Sequence, residues 1–247
     1  MCDKNIPFSV KWDNLERIGQ EIKNALEYYK SNDEEMKLIV IHGGGSFGHP
    51  VAKKYMKDGK LVNMEEGFWN IQRSMRRLNN IVLDCFNSYN IPSVSIQPSS
   101  FISFERDGLH FDTYVIEKLL ERNLIPVIHG DVVVDNSNDE GDFKIFSGDN
   151  ALPYLSKKFK PTLGLHATDV DGVYDLNGKI IDKIDKTNIS KIEKILKPSN
   201  KEDITGGMYL KVMEVYRLGV RSIIFNGNKR GNIYKGLLGK VSGTVIN

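Results

Sequence analysis

The sequence is poor in cysteine and has no long apolar run. Its only two cysteines, Cys2 and Cys85, lack the spacing of metal ligands and are too few for a disulfide framework. No apolar run approaches the roughly 20 residues needed to cross a bilayer. No signal-peptide pattern opens the chain, since residues 1–5 are polar. These absences predict a cytoplasmic protein with no membrane partner.

The sequence also lacks an excess of either charge. Its 34 Lys and Arg residues face 32 Asp and Glu residues, which gives a formal charge of +2. Such a balance offers no general attraction to nucleic acid, so any anion must be bound by a local group of donors. With 247 residues, the chain is long enough for one large domain or two modest ones.

Strand and helix signals alternate along the chain, which predicts an α/β fold with a mainly parallel sheet covered on both faces. An unbroken apolar run also predicts burial of the strand at 38–42 on both faces. Residues 136–142, NSNDEGD, are polar and rich in turn formers, so they mark a hairpin or a soft boundary, and DLNGKII at 175–181 is hairpin-like. The predicted helices are 13–30, 64–88, 113–122, 149–159, 205–217 and 233–238, and the predicted strands are 38–42, 94–96, 125–129, 132–135, 163–167, 222–226 and 244–246.

Four glycines and two histidines stand within IHGGGSFGHP, residues 41–50. Gly43, Gly44 and Gly45 expose successive N–H groups that an anion can approach closely, because no Cβ intervenes. A loop between a strand and a helix is a favoured phosphate site. A tight strand-to-helix turn explains the same glycines. The loop is neither a GxxxxGK[ST] P-loop nor a GxGxxG dinucleotide fingerprint.

Two histidines flank this loop. His49 lies four residues after Gly45, where its ring is able to donate to a phosphate oxygen. His42 ends the apolar strand, and we expect it to bond a backbone partner instead. A structural histidine is the alternative at position 49.

Three further motifs place charged residues beside glycines. In FSGDN, residues 146–150, Asp149 reads as a helix N-cap or as a residue that orients lysines toward a phosphoryl group. The strand in HATDVDGVYD, residues 166–175, is followed by a small acidic loop, as in many nucleotide-binding sites. Its aspartates are also compatible with a metal site, although two aspartates on one turn are commonly solvated. In DITGGMYLKV, residues 203–212, Lys211 lies in the first turns of a helix whose N-terminus favours anions.

Together HGGGSFGHP, IHGD, FSGDN, TDVDGVYD and DITGGMYLKV closely resemble the archaeal isopentenyl phosphate kinases of the amino acid kinase superfamily. The resemblance implies ATP-dependent phosphorylation of isopentenyl phosphate to isopentenyl diphosphate, within an alternative mevalonate route, with Mg²⁺ on the nucleotide. It also implies a dimer with a three-layer αβα sandwich around a mainly parallel sheet. Residues 1–247 would form a single domain, with the acceptor half at about 1–135 and the ATP half at about 136–247.

The resemblance also assigns roles to residues. Gly44, His49 and the Gly148 amide would hold the substrate phosphate, and Asp149 would orient the lysines. Lys4 would be the transition-state lysine, so the implied catalytic group is His49, Lys4, Asp149 and Lys211, with no protein ligand to a metal. The residues that would contact ATP are Gly45, Asp169, Gly207 and Lys211.

The acceptor's apolar tail requires a pocket, and a stripe of large side chains supplies candidates. Core packing explains the same stripe equally well. The candidates are Phe68, Ile71, Met75, Phe101, Ile102 and Phe146.

The chain departs from the family at its start. The family begins with a strand ending in Lys-x-Gly-Gly-Ser, whereas CDKNIPFSVKWDN matches the segment that follows it. We expect a misplaced start codon or a truncated chain, with Met1 standing in for an internal residue, rather than a natural variant. Loss of the strand would weaken ATP binding and stability.

Two alternatives to this function remain open. The first is another small-molecule kinase of the same scaffold, acting on an amino acid, a nucleotide or a phosphonate. The second is a catalytically silent binding or regulatory protein that retains a phosphate pocket without the first lysine of the family. His49 favours a phosphate acceptor over a carboxylate acceptor.

Overall fold

A computed structural model describes residues 1–3, 6–57, 60–138, 142–196 and 206–247. The described chain divides into two compact units, Met1–Ala151 and Leu152–Asn247. The single domain with halves at 1–135 and 136–247 stays a prediction. Among the described helices, none combines the length and the apolar character required to cross a membrane.

The first unit alternates helices and strands, and all the elements predicted in it are found with ends shifted by at most two residues. Its strands are β1 (Val40–His42), β2 (Met56–Lys57), β3 (Lys60–Leu61), β4 (Ser93–Ile96), β5 (Ile102–Glu105), β6 (Gly108–Phe111), β7 (Ile125–His129), β8 (Asp131–Asp135) and β9 (Asp142–Phe146). Its helices are α1 (Trp12–Ser31), α2 (Gly45–Tyr55), α3 (Met64–Ser88), α4 (Tyr114–Leu120), the start of α5 (Gly148–Phe159) and a short 3-10 helix, Pro98–Ser100.

A parallel sheet of order β1-β7-β4 positions the glycine loop. Strand β7 is buried along its whole length and pairs in parallel with both neighbours, so that His42 lies opposite His129. In β1 only His42 is buried, while Val40 and Ile41 are half-buried. The predicted burial of that strand on both faces is therefore wrong at Val40 and Ile41, because in the described chain β1 has a neighbouring strand on one side only. Parallel strands bring their carboxyl ends to one edge.

A second sheet, of order β6-β5-β8-β9, is mixed. Strands β8 and β9 pair antiparallel from Asp131 opposite Phe146 to Asp135 opposite Asp142, which confirms the hairpin expected around residues 136–142. The hairpin of β5 and β6 was not predicted, although Gly108 at its turn has a φ of 128° that only glycine adopts readily.

Helix α3 has the predicted bounds, residues 64–88. The side chain of Asn63 accepts a hydrogen bond from the Glu66 N–H at 3.1 Å and caps its N-terminus. One stripe of its surface faces the core at helical spacing. The buried hydrophobic residues of this stripe are Ile71, Met75, Leu78, Val82 and Cys85.

Helix α2 continues through Pro50. Proline has no N–H, so in a regular helix the carbonyl of Ser46 would lose its partner. The Phe8 N–H donates to that carbonyl at 3.0 Å, and the Ser46 hydroxyl donates to the Ser9 carbonyl at 2.7 Å. The segment around Phe8 thus completes the first turn of α2.

The second unit has its own mixed sheet of order β10-β12-β13-β11. Its core includes Val173, Ile184, Val212 and Ile224. The hairpin-like 175–181 stretch is confirmed by a bridge between Tyr174 and Ile180, whereas helix α6 was not predicted. Its elements are β10 (Gly164–Thr168), β11 (Lys183–Ile184), β12 (Ser222–Asn226), β13 (Thr244–Ile246), α6 (Ile189–Leu196), α7 (Gly206–Arg217) and α8 (Asn232–Leu237).

Candidate phosphate-binding site

The glycine loop joins the carboxyl end of β1 to the N-terminus of α2. Gly44 is the N-cap of the helix, and its carbonyl accepts hydrogen bonds from the N–H groups of Phe47 at 3.0 Å and Gly48 at 2.7 Å. The earlier amides of a helix have no acceptor within the helix itself. The loop therefore presents amides at a helix N-terminus, as an anion site requires.

Packing explains two of the loop glycines. A Cβ on Gly44 would lie 2.8 Å from the Gly48 Cα and 3.3 Å from the Met75 Sδ. Gly45 has a φ of 46°, and a Cβ there would lie 2.7 Å from the Cys2 Sγ. The tight-turn interpretation thus accounts for Gly44 and Gly45 without a ligand.

Two further glycines converge on the same strand end. A Cβ on Gly130, directly after β7, would lie 3.8 Å from the Gly44 nitrogen, and a Cβ on Gly148, at the start of α5, would lie 3.5 Å from the Ile41 Cγ2. These are ordinary contacts, and neither glycine has a φ in the left-handed region. The structure thus gathers Gly44, Gly130 and Gly148 into a cradle of bare backbone at the carboxyl end of β1.

His49 and Asp149 both lie on the helices that begin at this cradle. His49 is exposed on α2, four residues after Gly45 and hence on the same helix face. Asp149 is exposed in the first turn of α5. It is not the N-cap, because the helix begins at Gly148, and the Ser147 N–H instead donates to the Asn150 side chain at 2.9 Å.

His42 bonds a backbone partner, as expected. Its ring is buried, with Nδ1 at 3.1 Å from the Gly43 carbonyl oxygen and Nε2 at 3.0 Å from the Asn79 side chain. Burial lowers the pKa of His42 to about 4. Its ring stacks on that of His129 with centroids 5.8 Å apart, and burial lowers the pKa of His129 as well.

Sequence reasoning assigned no role to Asp131, which follows Gly130 in the IHGD motif. Asp131 is 1% exposed, and its carboxylate accepts from the Gln97 side chain, from the Ser99 N–H at 3.0 Å and from the Val132 N–H at 2.9 Å. It thereby ties the 3-10 helix to the carboxyl end of β7. Its position, directly after a buried strand and a glycine, was the available signal.

The apolar stripe proposed for the acceptor tail divides into core and partly exposed residues. Ile71, Met75, Ile102 and Phe146 are at most 3% exposed and belong to the core. Phe68 is half-buried against Phe143, and Phe101 is 36% exposed beside Phe111. Met75 also lies directly beneath Gly44 and Gly48, so it forms part of the floor of the glycine loop.

Comparison with known proteins places the chain in a family. Residues 9–226 match the profile of the amino acid kinase family. The chain belongs to this family. It is 57% identical over 250 residues to the isopentenyl phosphate kinase of Methanocaldococcus jannaschii, covering 100% of this chain and 94% of that protein. It is 38% identical over 251 residues to the isopentenyl phosphate kinase of Methanothermobacter thermautotrophicus, covering 95% and 90%.

The fold agrees with this assignment. A solved structure described as "X-ray structures of isopentenyl phosphate kinase" matches with a TM-score of 0.75 and 33% identity, over 96% of this chain and 92% of that one. The family resemblance and the α/β fold expected from the motifs are therefore confirmed.

The remaining candidate residues of this amino acid kinase lie in the second unit or outside the described residues. Asp169 is exposed directly after β10, whereas Gly207 and Lys211 belong to α7, where Lys211 is half-buried. Lys4 lies outside the described residues. Each of these roles stays a prediction.

The second aspartate of the TDVDGVYD loop has partners of its own. The carboxylate of Asp171 accepts from the Lys229 Nζ at 2.8 Å and from the Asn226 side chain at 2.9 Å. The Lys229 ammonium holds the pKa of Asp171 below its ordinary value. Within the described part of the chain, no group of three His, Cys, Asp or Glu side chains is arranged to hold a metal.

Proposed function

We propose that this amino acid kinase phosphorylates isopentenyl phosphate with ATP to give isopentenyl diphosphate. Its similarity to proteins with that activity, 57% over the whole chain in one case, supports the proposal. The observation that carries it within this chain is the cradle of Gly44, Gly130 and Gly148, with His49 exposed on the adjoining helix. The amides of Gly44 and Gly148 and a ring N–H suit a phosphate monoester as acceptor, whereas the Gly130 N–H already donates to the His42 carbonyl at 3.0 Å.

The reaction requires mainly that the protein position the two substrates and stabilise their negative charge. The attacking oxygen of a phosphate monoester is already ionised, so no side chain has to act as a strong base. Two anions must instead be brought together in line, which is achieved by hydrogen-bond donors and positive charges aimed at their oxygens. In the proposed arrangement Gly44, Gly148 and His49 hold the acceptor phosphate.

The nucleotide would be held by a second group of residues. Gly45, Asp169, Gly207 and Lys211 would contact ATP, Lys4 would stabilise the transferring phosphoryl group, and Asp149 would orient the lysines. Mg²⁺ would be carried by the nucleotide. Its ligands would then be mainly phosphate oxygens and water. Bound there, the ion supplies neutralisation of charge on the nucleotide oxygens.

We also propose that the enzyme works in the cytoplasm as a homodimer. These two statements rest on the composition and on the family resemblance of the motifs.

The test is turnover by the purified chain with ATP and three acceptors: isopentenyl phosphate, acetylglutamate and uridylate. We expect product from isopentenyl phosphate alone, and a loss of about 10²–10³ in kcat/KM when His49 is replaced by alanine, as for other single donors to an oxyanion. His110→Ala is the matched control, because His110 is an exposed histidine of a hairpin and pairs with Asp107 at 2.9 Å.

Three outcomes would contradict the proposal. Turnover of acetylglutamate or uridylate with isopentenyl phosphate untouched would move the activity to another kinase of this scaffold. Binding of inorganic phosphate without turnover of any acceptor would indicate a silent phosphate-binding protein. Equal losses in His49→Ala and His110→Ala would remove His49 from the site.

A further inference from the structure

The buried histidines His42 and His129 have no role in the proposed reaction, yet both adjoin the cradle. They end the neighbouring parallel strands β1 and β7 and are partners in the strand register. Each is followed by a glycine, and the Nδ1 of each lies near the carbonyl oxygen of that glycine, at 3.1 Å from Gly43 and 2.9 Å from Gly130. Each histidine ring therefore contacts the carbonyl group of the glycine that follows it.

The carbonyl contact fixes the tautomer of His42. A carbonyl oxygen only accepts, so Nδ1 must carry the hydrogen. The ring is fully buried and its pKa is about 4, so it is neutral at neutral pH and Nε2 has no hydrogen. The Asn79 Oδ1 lies 3.0 Å from Nε2, and the Asn79 Nδ2 lies 2.7 Å from the Ser95 hydroxyl. The Nδ1–H tautomer requires the opposite orientation of this amide, in which the NH₂ group donates to Nε2 and the oxygen accepts from Ser95; the oxygen and nitrogen of an amide have nearly the same shape, so this orientation fits the same space.

The contact also fixes the direction of the next amide. In a trans peptide the C=O and N–H bonds point in opposite directions, and none of the described peptide bonds is cis. Because the Gly43 carbonyl points toward the His42 ring, the Gly44 N–H points away from it. Gly44 N lies beside Gly130, on the floor of the cradle.

A hydrogen bond that holds the peptide in place matters more between two glycines than between other residues. Without side chains, the peptide between Gly43 and Gly44 is able to rotate at little steric cost. Rotation would replace the N–H that faces the anion with a carbonyl oxygen, which repels it. An amide that is already oriented before the ligand binds loses no free energy to reorganisation.

We propose that His42 is a positioning residue: its Nδ1–H holds the Gly43 carbonyl and thereby aims the Gly44 N–H at the acceptor phosphate. This inference rests on the proposed function, because it concerns the same phosphate site. His42 itself does not touch the substrate.

The test uses two variants, each of which keeps a polar group near the position of one ring nitrogen of the imidazole. In His42→Asn the side-chain NH₂ lies near the position of Nδ1 and is able to hold the Gly43 carbonyl. In His42→Gln the polar group lies near the position of Nε2 and keeps the contact to Asn79 alone. We expect KM for isopentenyl phosphate to rise about tenfold or more in His42→Gln and to stay within about threefold in His42→Asn. KM for ATP should differ little between them, and His110→Gln serves as the control.

A merely structural role gives a different result. If His42 only fills the core, any change in KM for the acceptor follows the loss of stability. The Asn and Gln variants then have equal KM values, or values that differ only as their unfolding temperatures do, and that outcome overturns the inference. Absence of turnover in the unaltered chain overturns the proposed function instead. The inference is then tested with inorganic phosphate, which should shift the Gly44 amide resonance of the unaltered chain and of His42→Asn but not of His42→Gln.

A measurement on the unaltered chain covers the case in which the variants fail to fold. Nitrogen-15 spectra of the imidazoles should show His42 with a hydrogen on Nδ1 and none on Nε2. The opposite tautomer, or a Gly44 amide that does not respond to inorganic phosphate, would refute the proposed clamp.

Discussion

Alanine at position 44 places a methyl group where the structure has no room for one. The added Cβ would lie 2.8 Å from the Gly48 Cα, whereas ordinary contacts begin at 3.4 Å, so α2 or the loop must move by about 0.6 Å. The nearest obstacle is backbone rather than the flexible end of a side chain. The backbone angles of Gly44, φ −72° and ψ −23°, are open to alanine, so packing alone determines the cost.

Position 43 offers a matched control, because a Cβ on Gly43 meets no atom within 4 Å. Replacing glycine by alanine restricts the unfolded chain and stabilises a protein by about 0.4–1 kcal/mol where the native conformation allows it. That gain is common to both variants. The difference between them should equal the overpacking cost, which is about 1–3 kcal/mol.

Chemical denaturation of Gly44→Ala and Gly43→Ala measures this difference directly. We expect Gly44→Ala to be less stable than Gly43→Ala by about 1–3 kcal/mol, and to melt about 2–4 °C lower for each kcal/mol. A 1 Å misplacement of a reacting group costs up to about 10² in rate, so a shift of this size should also reduce kcat/KM on the order of tenfold. Equal stability of the two variants would refute the packing argument for Gly44.

Two further predictions concern buried polar groups. In Asp131→Asn, an amide would face the donors on Gln97 and Ser99 in place of a carboxylate, so the free energy of unfolding should fall by about 1–3 kcal/mol in denaturant titrations; an unchanged value would show that the carboxylate is not needed. Because burial lowers the pKa of His42 from 6.5 to about 4, the unfolded chain binds a proton that the folded chain resists. Stability due to this ring is complete above about pH 6.5 and is lost as the pH falls toward 4. Relative to His42→Asn, the unaltered chain should lose up to about 3 kcal/mol over that range, and parallel pH curves would contradict this.

Much of the fold could be predicted because the caps and apolar patterns in the sequence agree with the burial seen in the structure. Helix α3 has an Asn cap and a continuous apolar stripe, and β7 is an apolar run long enough for a buried strand. Both elements have the predicted bounds. Where the signals conflict, no bounds could be predicted. A helix was expected after the glycine loop, but three glycines and Pro50 conceal the extent of α2, and Phe8, far away in sequence, supplies the donor that Pro50 lacks.

The residues proposed for the candidate site come from sequence motifs, whereas its geometry could not be predicted. His49, Gly44 and Gly148 follow from motifs that each lie within one short stretch of sequence. The contact between His42 and Asn79 spans 37 residues, and the carboxylate of Asp131 reaches Ser99 across 32. No periodicity or turn preference encodes such pairs, because they depend on which strands become neighbours.

The glycines differ in what explains the missing Cβ: the backbone conformation, the packing of neighbouring atoms, or neither. Gly108, Gly178, Gly219 and Gly231 have positive φ and open space around them, so their conformation alone requires glycine. Gly44 and Gly45 are explained by the atoms that a Cβ would meet. Gly43, Gly130 and Gly148 satisfy neither criterion: none has a left-handed φ, and a Cβ would meet nothing closer than 3.5 Å. The described chain leaves room for a Cβ at these three positions, all at the carboxyl ends of strands or at a helix N-terminus. The close approach of a ligand is one reason for a missing Cβ at such positions. Backbone N–H groups there favour an anion where they have no acceptor within the chain, whereas the Gly130 N–H donates to the His42 carbonyl at 3.0 Å.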